Sequence, residues 1–465
     1  MTGKDAMHTK KYDLTEGKIL SRLLMVAAPL MGTQLMQMAY NLTDMFWLGR
    51  VGLEAVAATG TAGMFIWLST AFMFIGRMGA EIGVSQSVGR GDRIAAREFS
   101  QNAIFLGAVS GIVFGLFLIL LRAPLIGFFN IYEESVVMGA KTYLSVVAIG
   151  MPFAFVSDAI TGTFNGVGNS RIPFFINCLG LALNIVLSPV FIFVLDRGLA
   201  GAAMATVIAQ GVVFLMSLCA LRFLPGRPFA DMRILHRPSP TQMRQILRWT
   251  LPITAQSAAF TFLSMIVGRF VAAFGADAIA IQRVGIQIES MSWLIAGGFS
   301  SALTSFVGQN YGRGRYDRIH RGARLALYTM LIWGVISTVV PLLLARQMFG
   351  LFLYGEEVLQ EGVRFIRILS IGQLLICVEF WAQGMFRGFG KTLPPSIAVI
   401  TGNTLRIPLA FFLSQTRLGI SGLWWGIALG ACMRGTLLLI LYPLFARKLP
   451  QERIDLPEEP LPVEG

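Results

Sequence analysis

Long apolar stretches alternate with short polar ones along the whole chain. By length and hydropathy they predict twelve membrane-spanning helices, at about 20–48, 54–84, 99–122, 136–162, 172–195, 199–222, 245–272, 277–306, 324–345, 361–386, 393–415 and 419–446. One polar interruption is longer than the others. Residues 221–248 hold four prolines (Pro225, Pro228, Pro238, Pro240) and several arginines, and read as a linker. Within the first apolar stretch the run PLMGTQLMQMAYNLTD carries a polar stripe: Gln34, Gln37, Asn41 and Asp44 follow at steps of three and four. That spacing places all four on one helical face, with Tyr40 beside them. A carboxylate inside a spanning helix is expensive to bury, so its default place is against a protein cavity. Asp44 is about one turn from the end of the span and could instead reach interfacial water. A carboxylate at the interface, however, needs no polar stripe leading to it. Pro29 removes one backbone hydrogen bond and gives the helix a point at which to bend.

The pattern repeats. APL around Pro29 returns as LPI around Pro252, a separation of 223 residues (252 − 29), and SQSVGRG at 85–91 returns as GQNYGRG at 308–314 with the same offset. GTFNGVGNS (162–170) recurs as GMFRGFGKT (384–392), and GLAG (198–201) as GISG (419–422). The expected fold is therefore an all-α integral membrane protein, with twelve transmembrane helices in two six-helix lobes related by a pseudo-twofold axis along the membrane normal. The expected organisation is an amino-terminal lobe at 1–222, a cytoplasmic linker at 223–244, a carboxy-terminal lobe at 245–450 and a cytoplasmic tail at 451–465. The repeat is unequal where it carries chemistry: Val267 stands at the counterpart of Asp44 and Phe260 at that of Gln37.

Composition agrees. Of 465 residues 55% are hydrophobic and 14% charged, against about 25% charged in soluble domains. The net charge of +13 comes from arginine and lysine in short loops, which is topology information and no sign of nucleic-acid binding. Their excess on the side of both termini predicts cytoplasmic ends in a plasma (inner) membrane. The opening residues are polar and basic, unlike a cleavable signal. Cys178, Cys219, Cys377 and Cys432 lie in apolar stretches without metal-ligand spacing and read as small core residues.

Other polar residues lie within the spans. Asn177, Asn184 and Ser188 share a face of the fifth span; such a row can equally serve interhelical hydrogen bonds worth roughly 0.6 kcal/mol each. Arg77 and Glu81, four apart, read as a structural or gating pair, and Asp158 as a pairing partner or a cavity residue. Arg283, Glu289, Glu379, Arg406 and Arg434 are expected to neutralise one another in pairs, with Glu379 also a candidate for transport. The glycine-arginine-glycine loops lack the lysine and the preceding strand of a phosphate-binding loop, so energy must come from an ion gradient and no cofactor is expected. The three histidines fall outside the spans, which speaks against an intramembrane enzyme.

DLTEG before the first span, YNLTDMFWLGRVGLEAVAATG after Pro29, the paired GRG loops and RGFGKT give the chain its closest likeness. It resembles the multidrug and toxic compound extrusion (MATE) family, in its prokaryotic, DinF-like branch, over nearly its whole length. The resemblance implies a two-lobed antiporter that exports amphipathic, often cationic drugs or dyes in exchange for H⁺ or Na⁺, acting as a monomer in the lipid bilayer. It also implies a coupling site: Asp44 matches the acid of helix 1, Asn184 the asparagine of helix 5 and Thr206 the threonine of helix 6. Ser188 stands where the family pattern has a second acid. With Na⁺, Asp44, Asn184, Ser188 and Thr206 would still offer four oxygen ligands; a desolvated lone aspartate also suits a proton. Gln34, Gln37, Tyr40, Asn41, Asn177 and Glu379 are the candidates for the substrate cavity. The alternative is a lipid-linked oligosaccharide flippase of related two-lobe design.

Overall fold

A computed structural model describes residues 12–224, 228–229, 232, 237–352 and 355–450, and of Asn41, Leu42 and Ala276 the backbone alone. Most of the linker's interior and the 451–465 tail lie outside the described residues. The described chain is helical, without strands. Its helices are α1 (Ile19–Val51), α2 (Leu53–Arg90), α3 (Arg93–Gly127), α4 (Glu134–Val167), α5 (Arg171–Pro189), α6 (Gly198–Phe223), α7 (Pro240–Ala272), α8 (Ala276–Gly312), α9 (Tyr316–Gly350), α10 (Glu356–Gly388), α11 (Leu393–Ser414) and α12 (Ile420–Ala446). Eleven of them are long and apolar enough to cross a membrane among the described residues. The other, α8, has the length, but its carboxy-terminal run SSALTSFVGQNYG dilutes the apolar residues.

Each predicted span has its helix, and most helices outrun the apolar stretch because they continue into polar surroundings. The largest shift is at α9, which starts at Tyr316 and not near 324, and α7 starts at Pro240 and not near 245. Proline suits the first helical turn, where its missing N–H has no partner to lose. α1 runs unbroken through Pro29.

Between the lobes, α1 packs on α8, α2 on α7, and α2 on α8. A pseudo-twofold axis demands this set: it exchanges the first two contacts and maps the third onto itself. At the end of the bundle where α2 and α8 finish, the symmetry reaches single atoms. Gln86 donates its amide across the lobes to the Gly388 carbonyl at 2.9 Å, and its counterpart Gln309 donates to the Gly166 carbonyl at 2.9 Å. Gly89 lies against the backbone of Gln309, and Gly312 against that of Gln86; a Cβ at either would collide with main chain. Nearby, Ser301 of α8 donates to both carboxylate oxygens of the fully buried Glu81 of α2, at 2.8 and 2.9 Å.

The DLTEG segment closes over this end. Asp13 accepts from the N–H and hydroxyl of Thr15, at 2.7 and 2.6 Å, and the turn so formed exposes neighbouring carbonyls. Arg315 takes the Thr15 carbonyl and Arg318 those of Leu14, Glu16 and Gly17. His320 meets the Pro450 carbonyl at 3.1 Å, so both described ends of the chain lie on the same side.

Gln86→Ala with Gln309→Ala leaves two buried carbonyls without donors. At about 1 kcal/mol or more each, amide hydrogen exchange in the last turns of α2 and α8 should rise by on the order of tenfold or more. Exchange rates equal to wild type would show that the pair does not hold this end shut.

Candidate functional site

Between the lobes lies a cavity of about 710 Å³. Ten helices line it; α3 and α9, the third of each lobe, contribute nothing. The lining repeats in register. Leu30, Thr33, Gln34 and Gln37 of α1 are matched by Ile253, Gln256, Ser257 and Phe260 of α7, each pair 223 residues apart (253 − 30). Equivalent positions thus face the same space with different chemistry.

Of the residues expected at the cavity, Gln34, Gln37, Tyr40, Asn177 and Glu379 line it, as do Asn184 and Thr206 of the expected coupling site. The side chain of Asn41 lies outside the described residues. Asp44 and Ser188 are not part of the lining.

α5 and α6 pack on each other, and α1 packs on α5. This brings Tyr40, Asn184, Ser188 and Thr206 into one hydrogen-bonded group. Asn184 donates to the Thr206 hydroxyl at 3.2 Å, and Ser188 donates to the Asn184 amide oxygen at 3.0 Å. Thr206 gives its own hydrogen to the Ala202 carbonyl at 3.1 Å. Tyr40, 3.4 Å from that hydroxyl oxygen, must therefore be the donor between them. Directly after Ser188, Pro189 cannot donate to the helix, and the backbone relaxes into a π-turn at Val190–Val194, where Leu195 N–H reaches the Val190 carbonyl at 2.9 Å. Asp44 stands one turn beyond Tyr40, half-buried, with Oδ1 buried and no hydrogen-bond partner among the described residues. A buried acceptor without a donor is costly, and a proton or a cation would relieve it. Asn184, Ser188 and Thr206 satisfy one another, so an ion bound there would have to replace their mutual bonds.

The charges pair differently from the sequence expectation at Arg77 and Glu81, at Glu289 and at Arg406. Arg77 bonds to Asp158 at 3.3 Å and Glu81 to Ser301; four residues apart on α2, the two diverge because each finds a partner on another helix. In the second lobe Arg434 pairs with Glu379 at 2.9 Å and also donates to Asn403 at 2.7 Å, while Gln383 donates to Glu379 at 2.9 Å. Glu289 is held by Gln373 at 2.7 Å, a neutral donor and not the expected opposite charge. Arg406 likewise meets no carboxylate, donating to the Ser264 hydroxyl at 2.8 Å. Gln383, Asn403 and Arg387 of the cavity were not among the sequence candidates. Lone amides in apolar runs look like packing; Asn403 and Gln383 become visible only as the repeats of Leu181 and Thr161, which also face the cavity.

The model of the MatE family matches residues 29–190 and 252–412, once in each lobe. The chain belongs to the MatE family. It is a multi-pass membrane transporter and not an enzyme. A probable multidrug resistance protein NorM of Thermotoga maritima is 26% identical over 431 residues, covering 91% of this chain and 92% of that protein. A protein of the same description from Pseudomonas aeruginosa is 27% identical over 456 residues, covering 93% and 91%. Among solved structures, a MOP superfamily transporter from Pyrococcus furiosus, described as having a binding pocket of reversed polarity, superposes with a TM-score of 0.89 at 22% identity. The superposition covers 95% of this chain and 98% of that one, and it shows the shared fold. The MatE match falls on the two stretches that the internal repeat aligns, from Pro29 and from Pro252.

Glu379→Gln strips the buried Arg434 of its counter-charge. Losing one member of such a pair costs about 3–5 kcal/mol, so the thermal unfolding midpoint should fall by several degrees. Adding Arg434→Met should recover most of the loss; a double variant no more stable than Glu379→Gln would show that the pair is not what the single change disrupts.

Proposed function

We propose that this MatE-family chain is a secondary active multidrug efflux antiporter, exporting amphipathic, often cationic compounds in exchange for H⁺ or Na⁺. One observation carries the reading: Tyr40 belongs both to the wall of the central cavity and to the Asn184–Ser188–Thr206 group, and Asp44 stands one turn away on the same helix. Substrate space and coupling residues therefore meet on α1. Its relatives' description as multidrug resistance proteins supports the substrate class.

In this reading a drug occupies the cavity while the lobes are apart on the side of the termini. The lobes then close there through Gln86 and Gln309, and the cavity turns outward. Asp44, whose Oδ1 has no partner among the described residues, takes up the proton or Na⁺. Uptake shifts α1, Tyr40 passes the change to Thr206 and Asn184, and the first-lobe wall of the cavity alters. The lobes that move are 1–222 and 245–450, the latter extended back to the start of α7 at Pro240, with a linker between them and the tail after 450. Both ends of the chain face the cytoplasm from a plasma (inner) membrane, since both described ends share the side richest in arginine. A monomer suffices, as both lobes come from one chain.

The flippase alternative draws on the cavity's arginines. These four arginines face three carboxylates of the same lining, Asp158, Glu289 and Glu379, a net of one positive charge (4 − 3), where a pyrophosphate headgroup calls for a strongly cationic wall.

Proteoliposomes with a proton or a Na⁺ gradient imposed separately test the proposal. Asp44→Asn should reduce ethidium efflux to the rate of empty liposomes under either gradient, with the unfolding midpoint unchanged. Full export by that variant refutes the coupling role.

A further inference from the structure

The repeat places Arg406 where the first lobe has Asn184 (406 − 184 = 222), and Ile427 where it has Thr206 (427 − 206 = 221). All four line the cavity. The polar group that the first lobe builds from neutral oxygens is thus replaced, at the pseudo-equivalent place, by a fixed cation. Arg406 is only 6% exposed and has no ion-pair partner among the described residues. Its guanidinium donates to Ser264 and lies over the Phe260 ring, 5.3 Å from the centroid. Its Nε is buried and donates to nothing; one turn earlier on α11, the Nδ2 of Asn403, a residue 1% exposed, is likewise a buried donor without an acceptor.

The carboxylates of the same wall are committed. Glu379 receives Arg434 and Gln383, and Glu289 receives Gln373. With Arg387, the wall's other arginine outside an ion pair, tied to the Gln383 amide oxygen, what is left over beside Arg406 is its own charge and two donors, all of one polarity. A carboxylate is acceptor-only when ionised and can take two donors from an arginine fork. We propose that Arg406 and Asn403 form an anion subsite in the second-lobe wall, which binds the carboxylate of an amphipathic substrate whose apolar body fills the cavity. The inference rests on the exporter reading and narrows it: the preferred cargo is zwitterionic or carboxylate-bearing, and a plain cation is the weaker ligand.

The test uses the full chain in nanodiscs and two dyes that differ only at the carboxyl group, rhodamine B and its ethyl ester. Fluorescence polarisation should show the acid bound at least tenfold more tightly than the ester by wild type. Arg406→Gln should abolish that preference, so that acid and ester bind alike. Arg406→Lys should keep part of it, since charge without the planar fork supplies fewer aligned donors. Equal affinities in wild type, or a loss in Arg406→Gln that falls equally on both dyes, overturns the subsite while the exporter reading stands. If wild type binds neither dye, the exporter reading falls and this inference falls with it.

Discussion

A helix that ends inside a bundle leaves its last carbonyls without partners. α4 and α10 end in this way where the lobes meet, and the carbonyls of Gly166 and Gly388 are satisfied by a glutamine from the opposite lobe. Each lobe therefore completes the other's backbone. The contact works only at close range, which is why Gly89 and Gly312 stand beside the two glutamines. Gln309 is used at both ends of its amide, since its oxygen also accepts from Leu14 N–H at 3.0 Å, and the amino-terminal segment is fastened to the same junction. Both partners are neutral. Separating these neutral groups is costly enough to define a state, and the buried Glu81 loses its Ser301 donor in the same step.

On this paired scaffold the two lobes carry opposite chemistry. The first presents Tyr40, Asn184 and Thr206, with Asp44 close by; the second presents Arg406, the Arg434–Glu379 pair and Asn403 at comparable depth. The backbone repeat makes the positions equivalent and the side chains make them complementary. A cavity built in this way can treat the two ends of one molecule differently, and an ion gradient can act on one lobe while cargo engages both.

Much of this was legible in the chain. Twelve apolar runs gave twelve helices, because membrane length and hydropathy leave little choice, and the repeat at Pro29 and Pro252 foretold which helices would exchange under the pseudo-twofold. Of the stripe Gln34, Gln37, Asn41 and Asp44, the first two line the cavity, with Tyr40 beside them. Sequence could not say that Asp44 would stop short of it, since a helical face fixes direction but not where a neighbouring lobe ends. Nor could it pair the charges: Arg77 and Glu81 look like partners at four residues' spacing, yet Asp158 and Ser301 reach them from other helices. The bonds of Gln86 in SQSVGRG to Gly388 and of Gln309 in GQNYGRG to Gly166 were hidden because the members of each are distant in sequence and neither is charged.

Finally, α3 and α9 take no part in the cavity, and their outward faces carry exposed Leu116, Leu120, Ile332 and Leu343. Each has 35 residues, roughly 50 Å of helix against an acyl layer of about 30 Å. Such rods must lean or protrude. Their apolar stretches, about 99–122 and 324–345, are only a little longer than that layer, so it is the polar starts of both rods that stand clear of the lipid, on the side where the chain's described ends lie.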